Sequence, residues 1–370
     1  MILLNDFRRQ WEDTRERALR AFTSVGESGS YILGSRVEAF ESSLARCWGL
    51  RYSVGVGSGL DALEIALTIA GCQRGDRVLT TPLSAFATTM AIIKAGAIPV
   101  FIDTDAFGLI SLSACREVLK NRSDIRFLVP VHLYGNVVDL NELRRLQDEF
   151  DLAVVEDCAQ SILATFDGLP TGSVSEIAAT SFYPTKNLGA MGDGGAILTN
   201  SEASFEAAKV LRNYGQTEKY LHERLGFNSR LDELQAALLD SAYLPVLPRW
   251  TARRREVARC YLDGIQNAGI RCLGSPRGSA SSWHLFPVLV SPNHRRQFIA
   301  YLNENGIAAG EHYPTLIPCQ NALKGWDMEV VNQLDTAERI CESEVSLPIH
   351  PYLTQDEVRQ VIEVCNEWKI

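Results

Sequence analysis

Between residues 50 and 200, short apolar runs alternate with segments whose apolar residues recur every three or four positions. The runs at 52–56, 77–81, 99–103, 127–131, 152–156 and 177–182 read as strands. Residues 60–70 read as a helix, because Leu60, Leu63, Leu67 and Ala70 share one face. Segments 85–95 and 140–150 are the next helices of the series. Strands separated by helices predict a mainly parallel sheet covered on both faces. The run 195–199 follows residue 182 too closely for a crossover helix, which favours antiparallel pairing. Beyond it the pattern predicts a helix over 231–239, a break at Pro245 and Pro248, and a charged helix over 249–265. A strand over 286–290 and helices over 295–305 and 355–368 complete it. The chain is thus expected to be α/β, with a large domain over 1–245 and a smaller α+β domain over 246–370.

Composition narrows the function classes. The 370 residues are 46% hydrophobic and carry 36 Lys and Arg against 45 Asp and Glu. A core of that size excludes a disordered chain or a disulfide-stapled miniprotein. A formal charge of −9 argues against general binding of nucleic acid, which depends on cationic side chains. Nine dispersed cysteines without a C-x-x-C pair fit free thiols in a reducing compartment. Residues 1–16 are charged and lack the apolar core of a signal peptide. The stretch 83–102 is interrupted by Ser84, Thr88, Thr89, Lys94 and Pro99, so it does not read as a membrane span. A soluble, cytoplasmic protein is expected.

Ligands of open parallel sheets gather at the carboxyl ends of the strands. Ser58 and Gly59, residues 84–86, His132, Asp157 and Ser181 all fall there. Val56-Gly-Ser-Gly-Leu60 joins a strand to a helix. It is either a tight turn capped by Ser58 or a turn whose free N–H groups take an anion. It matches neither G-x-G-x-x-G nor G-x-x-x-x-G-K-[ST], which removes the main support for a nicotinamide or Walker-type nucleotide. Asp157 ends an apolar strand and needs a partner there: a protonated ring nitrogen, a metal or a helix N-terminus. The absence of a histidine cluster counts against the metal. Lys186 lies between an apolar strand and a glycine-rich loop. It is either a solvated charge or a partly desolvated amine able to form a Schiff base.

These motifs, taken together, resemble the DegT/StrS family of sugar aminotransferases. The resemblance runs through Ser30-Tyr-Ile-Leu-Gly34, Phe40-Glu41, Gly57-Ser-Gly-Leu-Asp-Ala-Leu63, Gly75-Asp76 and Pro99-Val-Phe-Ile-Asp103. It continues through Glu156-Asp-Cys-Ala-Gln160, Ser181-Phe182, Lys186, Gly192-Asp-Gly-Gly195, the segment 226–237 and His312-Tyr-Pro314. It implies the fold type I architecture of pyridoxal phosphate (PLP) enzymes, cycling between PLP and its pyridoxamine form (PMP). On matching positions it implies that Lys186 anchors the cofactor and moves the proton. Asp157 would pair with the ring nitrogen and Gln160 would sit beside the ring hydroxyl. Phe86 would stack on the ring, a position otherwise read as core. Ser58, Ser181 and the amides of Gly59 and Leu60 would hold the phosphate, with Asn228 reaching it from a second subunit of a homodimer.

Tyr183, Lys219, Arg230, His312 and Tyr313 are the implied substrate contacts. Lys219 and Arg230 are candidate cations for a nucleotide diphosphate, with solvated surface charge as the other reading. The implied reaction moves an amino group from L-glutamate, released as 2-oxoglutarate, to a nucleotide-linked keto-deoxysugar. The Tyr-Ile-Leu-Gly and Gly-Leu-Asp-Ala-Leu segments resemble the branch that aminates carbon 3 of dTDP-linked sugars. The alternatives are a cyclitol or UDP-linked keto sugar as acceptor, and a non-catalytic binding or sensor protein. The chain departs from the usual pattern at Leu60, where many members carry Thr, and at Pro318, where a second His is usual.

Overall fold

A computed structural model describes residues 1–369. Seven strands build the main sheet: β1 (Tyr52–Val56), β2 (Arg77–Thr80), β3 (Ile98–Phe101), β4 (Ile125–Val129), β5 (Ala153–Asp157), β6 (Ile177–Ser181) and β7 (Gly195–Thr199). Their spatial order is β1-β7-β6-β5-β4-β2-β3, with the short segment Glu329–Val330 added beyond β3. All neighbours run parallel except β7, which pairs antiparallel with both β6 and β1. The short connection after β6 leaves no room for a crossover, so the predicted reversal is found. Val54, Val56, Val78, Val100, Leu128 and Val155 are fully shielded from solvent. That is the mark of a sheet covered on both faces.

The covering helices are α1 (Phe7–Ser28), α2 (Ser35–Trp48), α3 (Gly59–Ile69), α4 (Phe86–Lys94), α5 (Leu112–Leu119), α6 (Leu140–Phe150), α7 (Glu202–Leu211) and α8 (Glu233–Leu238). The pattern alone did not mark α1, α2, α5 or α7. In α1 the buried stripe is Thr14, Ala18, Ala21 and Val25, residues too small to stand out among its many charges. The prolines at 245 and 248 do not break the chain. α8 passes through a π turn (Leu239–Tyr243) and a 3₁₀ turn (Leu244–Val246) into α9 (Leu247–Gly264). Each proline stands in the first turn of its helical segment, where an N–H has no intrahelical acceptor to lose.

Beyond α9, strands Arg271–Cys272, Phe286–Leu289 and Glu344–Leu347 form an antiparallel sheet. It is flanked by α10 (Arg295–Glu304), α11 (Asp335–Ser343) and α12 (Gln355–Glu367). Phe286, Phe298, Val345, Leu347 and Val361 form a second core there, joined by Ile2 from the far end of the chain. Ile2 pairs with Ile307 as a parallel bridge. Among the described residues no helix is long and apolar enough to cross a membrane.

Candidate active site

The carboxyl ends of β1, β2, β5 and β6 and the small sheet enclose a cavity of about 530 Å³. Ser58, Gly59, Leu60, Asp157, Gln160, Ser181, Tyr183, Lys186, His312 and Tyr313, all named from the sequence, line it. The turn after β1 sets one wall. Ser58 caps α3 by accepting from the Asp61 N–H at 3.1 Å, which leaves the Gly59 and Leu60 amides at the helix N-terminus. A Cβ on Gly59 would lie 2.6 Å from the Cβ of Ser181, so only glycine lets the turn approach β6. Gly195 makes the matching contact from β7, where a Cβ would fall 2.4 Å from the Ser58 carbonyl oxygen. Ser181 Oγ accepts from the Tyr183 N–H at 3.2 Å and keeps its own proton to donate. This is an anion cradle at a helix N-terminus.

Asp157 closes the opposite wall. Its Oδ1 accepts from the Ala159 N–H at 3.1 Å and its Oδ2 from Thr88 Oγ1 at 2.8 Å. Thr88 in turn bonds Ser84 at 3.0 Å, in the turn that leads into α4. Lys186 is half-buried in the cavity wall, and the loss of hydration lowers its amine to about 8 against an opposing pull from Asp157. Asp157 is the carboxylate that acts on it, and the amine is poised to lose or gain a proton. Gln160 accepts from the Tyr134 N–H at 2.6 Å and donates to the Tyr313 hydroxyl at 3.3 Å, so its amide is fixed in orientation. Burial and Lys186 together hold the His312 imidazole down at about 4, leaving it neutral.

Other positions fall elsewhere. Phe86 packs against Phe101, Ile317 and Leu323 and is not among the lining residues; its neighbours Ala85 and Ala87 are. The reason is its place at the first turn of α4, where the ring can turn to an adjoining apolar cluster. Asn228 is exposed on this chain, beside Ser229, whose Oγ accepts from the Gly57 N–H at 2.9 Å and donates to Asp61 at 2.7 Å. Lys219 stacks over Tyr220 on an exposed hairpin, and Arg230 lies over Tyr214 and donates to Asn213. None of these three reaches the cavity of its own chain. Pro318 sits in a 3₁₀ turn (Ile317–Cys319) and does not line it either.

His132, read at a strand end, is buried against Glu156 at 2.8 Å. Glu156 also accepts from Gly172 and from the amide and hydroxyl of Ser175. Burial would raise this carboxyl, but those hydrogen bonds hold it below its usual range. His132, Glu156 and Cys158 could geometrically hold a metal, yet none lines the cavity, and the carboxylate is already saturated by donors. Thr88, His284, Leu4 and Asn5 line the cavity without having been picked out. Ser84 and Thr88 at i, i+4 offered a signal. Leu4 and Asn5 offered none, since long-range packing places them.

The donor set fits pyridoxal phosphate. A cradle with no room for a Cβ suits the phosphate, a buried carboxylate suits a protonated ring nitrogen, and a desolvated amine suits the aldehyde carbon. Residues 12–366 match the model of the DegT/DnrJ/EryC1/StrS aminotransferase family. The chain is 37% identical over 367 residues to the dTDP-3-amino-3,4,6-trideoxy-alpha-D-glucose transaminase of Streptomyces venezuelae, covering 98% of this chain and 95% of that one. It is similar to the crystal structure of S. venezuelae DesV in complex with a ketimine intermediate, with a TM-score of 0.94 and 36% identity over 100% of this chain and 98% of that chain. NtdA from Bacillus subtilis with bound cofactor PMP gives a TM-score of 0.86 at 28% identity, covering 95% of this chain and 80% of that one. By sequence and by architecture, the chain belongs to the DegT/DnrJ/EryC1/StrS aminotransferase family.

Proposed function

We propose that this aminotransferase uses pyridoxal phosphate to move an amino group from L-glutamate to carbon 3 of a dTDP-linked keto-deoxysugar. The observation that carries this reading is a partly desolvated, readily deprotonated Lys186 sharing one cavity with Asp157 and the Gly59–Ser181 cradle. The similar S. venezuelae transaminase supplies the sugar class. When bound, the cofactor supplies an electron sink for the carbon that loses its proton. Lys186 takes that proton as a neutral amine and returns it as an ammonium, so one residue serves donor and acceptor halves. Asp157, oriented by Thr88, keeps a positive ring nitrogen favourable. Ser58, Ser181 and the Gly59 and Leu60 amides hold the phosphate, and Gln160 orients the ring edge. Tyr183, His312 and Tyr313 face the sugar.

The remaining contacts need a second copy. Asn228, Lys219 and Arg230 lie outside the cavity of their own chain, on a segment that exposes Tyr220 and Leu225 at 81% and 97%. A two-fold dimer would carry them to the neighbour's site, Asn228 toward phosphate and the two cations toward the nucleotide diphosphate. The test is to load the protein with PLP, add glutamate, and offer dTDP- and UDP-linked keto sugars in parallel. Release of 2-oxoglutarate with amination of the dTDP-linked 3-keto sugar is expected. Turnover confined to UDP-linked sugars would overturn the substrate assignment.

A further inference from the structure

Behind His312 lies a hydrogen-bonded chain that the proposed chemistry does not use. His312 Nδ1 bonds Ser346 Oγ at 2.8 Å, Ser346 Oγ donates to one oxygen of Glu344, and the other oxygen accepts from the His312 N–H at 2.6 Å. Glu344 and Ser346 are two residues apart on one strand, so their side chains share a face. The His312 loop is zipped to the same strand by the Gly310–Ser346 bridge, with N···O distances of 3.1 and 2.8 Å. A Cβ on Gly310 would lie 3.0 Å from the His312 ring, so a side chain there would press on the imidazole. Glu344 is 1% exposed and Ser346 is wholly buried, whereas His312 lines the cavity.

We infer that Glu344 is a positioning residue that acts through Ser346 to set which ring nitrogen of His312 carries the proton. The logic is one of hydrogen-bond polarity. An ionised Glu344 only accepts, so Ser346 must donate to it. Ser346 then accepts from Nδ1–H, and Nε2 is left as a lone pair at the cavity wall. There it can accept a sugar hydroxyl, a role that rests on the reading of this site as a sugar site. A protonated Glu344 donates to Ser346 instead and reverses the chain, which puts the proton on Nε2. Burial raises Glu344 to about 7, while His312 stays neutral through that range. The other groups facing Glu344 are Arg295 and Glu311, ion-paired at 2.9 Å, and Tyr134 and Tyr313, which burial keeps protonated.

The tautomer can be read directly by ¹⁵N NMR of histidine-labelled protein, with the His312 signal among the six histidines assigned by its loss in His312→Asn. In the wild type above pH 8 the Nδ1–H form is expected, converting to Nε2–H as the pH falls through about 7. In Glu344→Gln the side-chain oxygen must still take the His312 N–H, so the amide donates to Ser346 and the Nε2–H form is expected at all pH. Ser346→Ala, the milder change, should leave a mixture of both forms. In kinetics, Glu344→Gln should raise KM for the sugar about tenfold, with kcat within threefold and the glutamate half-reaction unchanged. A wild-type tautomer and pH profile in folded Glu344→Gln or Ser346→Ala would overturn the inference. Failure of every sugar to react would sink the substrate reading and leave the NMR result standing.

Discussion

Burying an amine is costly, and Lys186 shows where that cost is used. Its depression from 10.5 to about 8 corresponds to about 3 kcal/mol, carried in full wherever both folded and unfolded chains are protonated. Because the unfolded chain binds the extra proton between pH 8 and 10.5, stability should rise through that window. Lys186→Met should therefore stabilise the cofactor-free protein most at pH 7, with the advantage over the wild type shrinking toward pH 10 in urea unfolding. Equal offsets at both pH values would show that the amine is not desolvated. Lys186→Ala should abolish turnover. Asp157→Asn keeps the Thr88 contact in shape but removes the charge, and should slow transamination at least ~100-fold, about 2.7 kcal/mol of barrier, without loss of fold. A rate within a few-fold of wild type would make Asp157 structural. Both residues were legible in the sequence because a charge beside an apolar strand needs a reason. Thr88 offered only its spacing from Ser84, and His284 offered nothing, because a histidine in a loop declares no role until the fold supplies its partner.

Among the elements, the strands of the main sheet were readable because burial on both faces leaves continuous apolar runs, and α3, α4 and α6 followed from their periodicity, whereas α5 and α7 were not marked. The helix α1 hides a narrow stripe of small residues, and the two-residue strands carry too few positions for any period. The prolines misled for a local reason: a residue that ends one helix can begin the next. The turn between β1 and α3 is the element on which cofactor binding most depends. Gly59→Ala would force its new methyl against Ser181, and the turn must retreat from β6 to make room. Titration with PLP should show at least ~10-fold weaker binding, or about 1.4 kcal/mol, while the circular dichroism of the protein is retained. Unchanged affinity would mean that the cradle is not the phosphate site.

For the whole molecule, the shared-site reading has a direct consequence for mixed subunits. Lys186→Ala and Asn228→Asp chains should each be inactive alone, the second because an added carboxylate would repel phosphate. Differently tagged chains that exchange should recover activity, since each hybrid would hold one site with both residues native. Verified hybrids without recovery would place Asn228 in the service of its own chain.

The bridge from Ile2 to Ile307 also bears on how the protein is made. Leu4 and Asn5 stand in the cavity wall because Ile2 is held by the second core, and Arg9 is tied to Glu357 at 2.8 Å across 348 positions of sequence. Residues 2–9 can therefore find their places only after partners about 300 positions later in the chain have been made. At roughly 5–20 residues per second of synthesis, the main sheet has many seconds to form before the partners of that opening segment emerge. During that interval the nascent chain can hold a finished sheet and an open, unwalled cavity. Closure of the cavity wall is thereby deferred until residues 307–357 have emerged.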